Sequence, residues 1–306
     1  MVKDIPETAE VKIQFFRDLD PFATTHFSEP SRPPFFTIDT DRPLCEQLPS
    51  IHRTVRAPHA IANCGLYLTD ENQKDPQKAN CWLDLELSLA ENLADNGDEQ
   101  SFENKKYKIT LKTALPVKVH NVITKLYNTT GRDLRRSLFS LNKVFDDFDF
   151  ITQFCANENG LNCLLKIGSG EHKSSYNGPD NNFQNYILRA YQAMIIYVDG
   201  MEAISGHVET IRWLYSLITS DFKILAKQSL KLLNEFCSYR DENLQTFLEC
   251  IQYVDGVCPW WNMLQALGSQ ESQGSGIDHE VVLHALKILN MTLAVIENWV
   301  GLGENQ

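Results

Sequence analysis

The chain has 306 residues, enough for one large or two ordinary domains whose core needs neither disulfide nor metal. Its formal net charge is −12, and the acidic excess is even: Met1–Thr113 carries 13 Lys and Arg against 19 Asp and Glu, the remainder 15 against 21. That balance argues against the basic footprint expected of a nucleic-acid or anionic-membrane binder and suits a basic partner, though acidity alone is mostly a solubility feature.

In chain order, the first part reads with a period of two. Val11–Phe15 and Tyr107–Lys112 alternate apolar and polar residues as half-buried strands do. Pro33–Ile38 predicts a strand entered through proline, and Cys64–Leu68 and Cys81–Leu85 two shorter ones. Glu46–Val55 predicts one short helix, with polar loops over Thr69–Asn80 and Asp95–Lys106. About five strands and one helix in ~100 residues predict an α+β domain on a single sheet.

After Pro116 the period becomes 3.6. Apolar stripes run through Val117–Tyr127, Leu134–Phe145, Tyr186–Val198, Ile211–Ile218, Phe222–Tyr239, Leu244–Tyr253, Trp260–Leu267 and Val281–Val300, so this part is all-α. Ser229-Leu230-Lys231-Leu232-Leu233-Asn234 and Ala285-Leu286-Lys287-Ile288-Leu289-Asn290 are nearly one hexapeptide, and Ala190-Tyr191-Gln192-Ala193-Met194-Ile195 is a looser copy. The spacings, 39 and then 56 with a Gly/Ser/Gln insert over Gly268–Gly276, predict an armadillo solenoid with the insert outside it. Within Phe154–Leu165 a helix is expected to stop at Gly160. Tyr197-Val198-Asp199-Gly200 recurs as Tyr253-Val254-Asp255-Gly256 and reads as coincidence or shared helix-end chemistry rather than a second period.

Chemistry-bearing constellations are sparse. His279 and His284 are five apart, off the i, i+4 spacing of a zinc face, so no metal is expected. No Gly-x-Ser-x-Gly or Walker pattern occurs, and Gly168-Ser169-Gly170 lacks a following Lys-Ser/Thr. Cys163 and Cys237 lie on apolar helix faces as core thiols, which leaves a cysteine hydrolase with little support. None of the eight cysteines forms a Cys-x-x-Cys pair, the N-terminus is charged from Lys3, and the longest apolar run is Ala193–Val198. Reduced cytosolic thiols, no secretory signal and no membrane span are expected. Arg132-Asp133-Leu134-Arg135-Arg136 is a dense basic cluster at a helix start, readable as a salt-linked face or a partner contact. Trp260 and Trp261 read as wedges between repeats or as a ligand platform. The polar residues between core positions of the long helices are the groove candidates: Asn185, Arg189, Gln192, Gln228, Lys231, Asn234 and Glu235. Each also reads as part of a solvated face.

Several stretches resemble the N-terminal region of FHOD-type formins. They are Asp20-Pro21-Phe22, Phe27–Pro34, Lys125–Asn128, Gly131–Leu141, Tyr186–Ala190, Tyr197–Met201 and Thr210–Tyr215. The resemblance implies an N-terminal tail (1–10), a ubiquitin-like GTPase-binding domain (11–115), an armadillo-type formin homology three or inhibitory domain (116–301), and a short tail (302–306). It further implies a non-enzymatic, cofactor-free regulatory module of the cytoplasm and the actin cytoskeleton. Its partners would be a Rho-family GTPase, a C-terminal autoregulatory segment of amphipathic helix and basic residues, and indirectly the actin machinery. An armadillo adaptor anchoring actin structures without autoinhibition is the alternative. The chain stops at Gln306 without the family's proline-rich or actin-assembling segment, so as given it is expected to be a fragment, a short isoform or a truncated product that does not polymerise actin. Asn234 and Glu235 replace an apolar run of the family near the expected tail-binding surface.

Overall fold

A computed structural model of the chain describes residues 8–15, 32–55, 60–70, 81–95, 106–172, 180–268 and 278–303. Two compact units divide between Asn121 and Val122. The stretches Asp20–Phe22 and Phe27–Ser31, most of the loops after Thr69 and Asp95, and the insert after Gly268 lie outside the described residues.

The first unit is a five-stranded mixed sheet: β1 (Thr8–Phe15), β2 (Phe35–Asp39), β3 (Cys64–Asp70), β4 (Cys81–Leu83) and β5 (Tyr107–Thr113). The spatial order is β2-β1-β5-β3-β4, with β1 and β5 parallel and every other pair antiparallel. Alternation puts Val11, Ile13, Ile38, Leu66, Leu68, Ile109 and Leu111 in one core with Leu44, Leu48 and Ile51 of helix α1 (Leu44–Val55). This is the ubiquitin-like arrangement. Gln47 ties α1 to β2, accepting from the Asp39 N–H and donating to the Asp39 carbonyl, both at 2.9 Å.

A second helix, α2 (Leu89–Asp95), corrects the one-helix expectation. Its signal is a capping box: the Ser88 N–H donates to Glu91 Oε2 (2.8 Å), and the Glu91 N–H to Ser88 Oγ (3.2 Å).

The second unit is helical. Helix α3 (Leu115–Asn128) leads into it, followed by α4 (Gly131–Val144), α5 (Phe148–Ala156), α6 (Glu158–Gly168), α7 (Asn181–Met194), α8 (Val198–Ser205), α9 (Val208–Ser216), α10 (Lys223–Tyr239), α11 (Asp241–Asp255), α12 (Trp261–Gly268) and α13 (His279–Gly303). Helices α4, α7, α10 and α13 form a ladder, each packed on the next, while α5 packs on α8 and α6 on α9. That three-helix step is the armadillo period.

The hexapeptide copies sit where the ladder is tightest. Ala190, Ser229 and Ala285 are wholly buried in α7, α10 and α13, since only a small side chain lets neighbouring helix backbones approach. Large side chains fill the remaining space. Phe145, Phe150 and Phe154 meet with ring centroids 5.1–5.9 Å apart, each burial contributing about 1.5–3 kcal/mol.

One glycine expectation needs correction and a second narrows. Gly160 does not stop a helix: α5 ends at Ala156, Asn157 caps α6 by accepting from the Asn159 N–H, and Gly160 lies inside the first turn of α6. Likewise Tyr197–Gly200 opens α8, whereas Tyr253–Gly256 closes α11. The two tetrapeptides therefore share no helix-end role, and of the two readings coincidence stands.

Candidate partner-binding surface

The candidate residues lie on consecutive rungs of the ladder. The 39-residue offset that matches Ala190 to Ser229 also matches Arg189 to Gln228 and Gln192 to Lys231. The 56-residue offset carries Gln228 to His284 and Lys231 to Lys287. Two rows of polar positions thus cross α7, α10 and α13: Arg189, Gln228, His284, and Gln192, Lys231, Lys287. Arg189, Lys231 and Lys287 are exposed; Gln192, Gln228 and His284 are half-buried.

Ion pairs flank these rows on α10 and between α10 and α13. Lys231 Nζ lies 3.9 Å from Glu235 Oε1 one turn on, and Lys227 pairs with Glu280 between α10 and α13. His284 feels the charges of Lys287, Glu280, Lys231 and Glu235, and burial first, then Lys287, holds its imidazole below the usual range. In the sequence His284 stands only as a candidate metal ligand beside His279; its repeat register with Gln228 is the signal that places it here.

At the ends where α7 and α10 begin, half-buried Asn185 lines a hollow of about 380 Å³ with Asp180, Asn181, Asn182, Phe222, Ile224 and Leu225. Phe222 and Ile224 are exposed. Asn185 Oδ1, Gln228 Oε1 and His284 Nδ1 are enclosed without a hydrogen-bond partner among the described residues. An enclosed polar atom without a partner costs the free chain the hydrogen bond it would make to water.

Asn234 departs from the expectation. It is 9% exposed, so of the polar pair Asn234–Glu235 only half-buried Glu235 reaches the surface. A helix buried on an arc as wide as that of α10, from Leu225 to Cys237, turns position 234 inward.

The other constellations resolve structurally. Arg132, Asp133, Arg135 and Arg136 are exposed around buried Leu134, with Arg136 3.5 Å from Asp133. Trp260 meets Phe247 edge to face at 6.4 Å, while Trp261 stands in solvent. Burial pushes the Cys155 and Cys163 thiols up to about 12 and raises Cys237 as well, the reverse of what a nucleophile needs. Among the described residues no three His, Cys, Asp or Glu side chains gather to hold a metal ion. No helix among them is long and apolar enough to cross a membrane.

Comparison with known proteins gives this architecture its relatives. Residues 10–100 match the family described as the formin N-terminal GBD, and residues 181–299 the FHOD1/3 FH3 domain. The chain is 41% identical over 293 residues to FH1/FH2 domain-containing protein 3 of Mus musculus, covering 94% of this chain and 17% of that protein. It is 35% identical over 292 residues to FH1/FH2 domain-containing protein 1 of Homo sapiens, covering 94% and 23%. Formin-G of Dictyostelium discoideum is 24% identical over 174 residues, 56% of this chain and 15% of that protein. The chain thus spans about a fifth of the length of the curated FHOD relatives it matches. Its ubiquitin-like sheet followed by a helical ladder, and a match along nearly all of its residues, place the chain in the FHOD formins, in the region that carries their GBD and FH3 domains.

Proposed function

We propose that this chain is the regulatory module of a formin. Residues 11–115 act as a GTPase-binding domain for a Rho-family GTPase, and residues 116–301 as the inhibitory domain that captures a C-terminal autoregulatory helix with its basic residues. The module catalyses nothing and takes no cofactor; it acts in the cytoplasm on actin filament assembly by holding or releasing the assembling part of the polypeptide. The observation that carries this reading is the double row of polar positions along the α7–α10–α13 ladder, beside the hollow lined by Asn185, Phe222 and Ile224. An amphipathic helix laid over such a row meets apolar and hydrogen-bonding groups together. A chain of net charge −12 also attracts a basic tail.

The test is titration of the purified chain with a synthetic C-terminal peptide of an FHOD formin, by fluorescence polarisation, and separately with a GTP-loaded Rho-family GTPase. Micromolar binding is expected. Glu235→Lys, which replaces a surface carboxylate by a cation beside Lys231, is expected to weaken the peptide about tenfold, or ~1.4 kcal/mol. The absence of binding to both ligands at micromolar concentration sinks the reading.

A further inference from the structure

Helices α1 and α2 bury Leu44, Leu48, Ile51, Leu89 and Leu93 against one face of the sheet, so strand residues of the other parity form the opposite face. Strand pairing sets them in rows. Phe35, Lys12, Lys108 and Thr69 lie side by side across β2, β1, β5 and β3. Gln14, Thr110, Tyr67 and Trp82 make the next row, across β1, β5, β3 and β4. Lys112 stands opposite Gly65 in the row beyond. Among the described residues the carboxylates of this face are Glu10 and Asp39, at its other end, opposite Thr37 and Thr8.

Two cation–aromatic pairs frame this face. The Lys12 ammonium lies over the Phe35 ring, 5.1 Å from its centroid, and that of Lys112 over the Tyr67 ring at 4.7 Å. Gly65 makes the second pair possible: a Cβ there would stand 3.3 Å from the Tyr67 ring, which lies along the strand over bare backbone. Phe35 and Trp82, large and apolar, are each 58% exposed. Lys12 and Lys108 are direct cross-strand partners, and like charges so placed destabilise a sheet. An anion laid across the pair reverses the sign of that interaction.

We propose that this face docks a short acidic segment of a partner protein. Its carboxylates lie over Lys12, Lys108 and Lys112, and an apolar or aromatic residue among them rests on Phe35, Tyr67 or Trp82. Charge complementarity selects that occupant over larger anions. The chain carries −12 in all, so these lysines are a local exception. At about 0.15 M salt charges are screened beyond ~8 Å, and a ligand the size of the face meets the lysines and little else. A nucleic acid or an anionic membrane extends past them and is repelled by the acidic remainder. The site is independent of helix capture by the second unit, and its partner has the opposite charge.

Fluorescence polarisation of the whole chain with a labelled peptide of glutamates around two phenylalanines, about ten residues long, tests this. Binding is expected with a Kd of roughly tens of micromolar, as suits a small polar interface, weakening several-fold between about 50 and 300 mM salt. The same peptide with glutamine for every glutamate is expected not to bind. The double variant Lys12→Gln, Lys108→Gln is expected to weaken the acidic peptide about tenfold with unchanged circular dichroism, and Trp82→Ala about threefold. Glu10→Gln, which removes a carboxylate from the edge of the face, is expected to tighten it about twofold. Glu235→Lys, on α10, is expected to leave it within twofold, which separates this site from bulk charge and from the helix-capturing surface. No binding at about 1 mM peptide overturns the proposal, as does equal binding of the glutamine peptide or an unaltered affinity in the double variant. Tighter binding of an oligothymidylate or of phosphatidylserine vesicles than of the peptide overturns it equally.

Discussion

Gly200, in the first turn of α8, lies directly against the backbone carbonyl of Met194, the last residue of α7. A Cβ built on Gly200 would stand 2.1 Å from that oxygen. Gly160 repeats the arrangement at the α5–α6 corner, where a Cβ would stand 2.4 Å from the Phe154 carbonyl oxygen. Both carbonyls are six residues back, so the same device turns two corners of the solenoid.

Gly200→Ala is therefore expected to destabilise the helical unit by about 3 kcal/mol, because a backbone oxygen cannot move aside as a side chain can. Gly206→Ala is the control: its new Cβ meets only carbonyl oxygens at 3.7 Å, ordinary contact, and its φ of −76° suits alanine. Urea unfolding of both variants checks the contrast, and equal losses would remove the steric account.

A proton-ordered chain joins three helices of the second unit. His207 Nε2 lies 3.0 Å from Asn162 Oδ1, which only accepts, so that nitrogen carries the hydrogen. Nδ1, 2.8 Å from Thr210 Oγ1, then accepts from the hydroxyl, and Tyr191 OH donates to the same Oγ1 at 3.3 Å. The arrangement needs neutral imidazole, and burial holds the His207 pKa below its usual value against the opposing pull of Glu209. The folded state thus takes up the proton less readily than the unfolded state. The stabilisation is complete above the ordinary histidine pKa of about 6.5 and is lost as pH falls through the lower folded value. His207→Gln is expected to flatten the loss of unfolding midpoint between pH 7.5 and 5.5; an unchanged slope would place the titration elsewhere.

Asn234 carries a buried Oδ1 without a partner among the described residues. Asn234→Leu removes that cost and is expected to stabilise the unit by about 1 kcal/mol. It is expected to leave capture of the autoregulatory peptide within twofold, since the side chain lies inside α10's buried arc. Calorimetric melting and peptide titration on one preparation read both effects, and a large loss of affinity would return Asn234 to the surface.

The legible parts of this fold were those where one physical demand acts on adjacent positions. Period-two stripes gave Val11–Phe15 and Tyr107–Lys112 as strands, and the hexapeptide copies gave the ladder, because small residues recur wherever helices stack. What was hidden depended on the third dimension. Tyr197–Gly200 and Tyr253–Gly256 are alike in letters, but only Gly200 faces a carbonyl of the preceding helix. Asn234 reads as a groove residue until the width of α10's buried arc is known. His284 joined the candidate surface only once α13 was seen to follow α10 in register. Helix α2 had a readable capping box in Ser88 and Glu91 that strand-oriented reading passed over.

The thiols are expected to divide by burial. Cys258 is exposed and should react with a disulfide reagent at pH 8 without denaturant. Cys163 is buried with its pKa pushed up to about 12, and buried Cys250 and Cys64 to about 11. These three should react only after unfolding, as mass spectrometry of labelled peptides would record. Rapid native labelling of Cys163 would contradict its place in α6.

The pairing of β1 with β5 sets the order in which the chain acquires structure. Val11 meets Tyr107 and Phe15 meets Leu111, contacts that bridge about 100 residues of polypeptide. Closing so long a loop costs entropy before any contact offsets it. During synthesis β1 therefore waits, its central edge open, until residues 107–111 leave the ribosome. The helical ladder joins nearer neighbours in sequence, so closure of the sheet is expected to be the slower and more aggregation-exposed step in folding this chain.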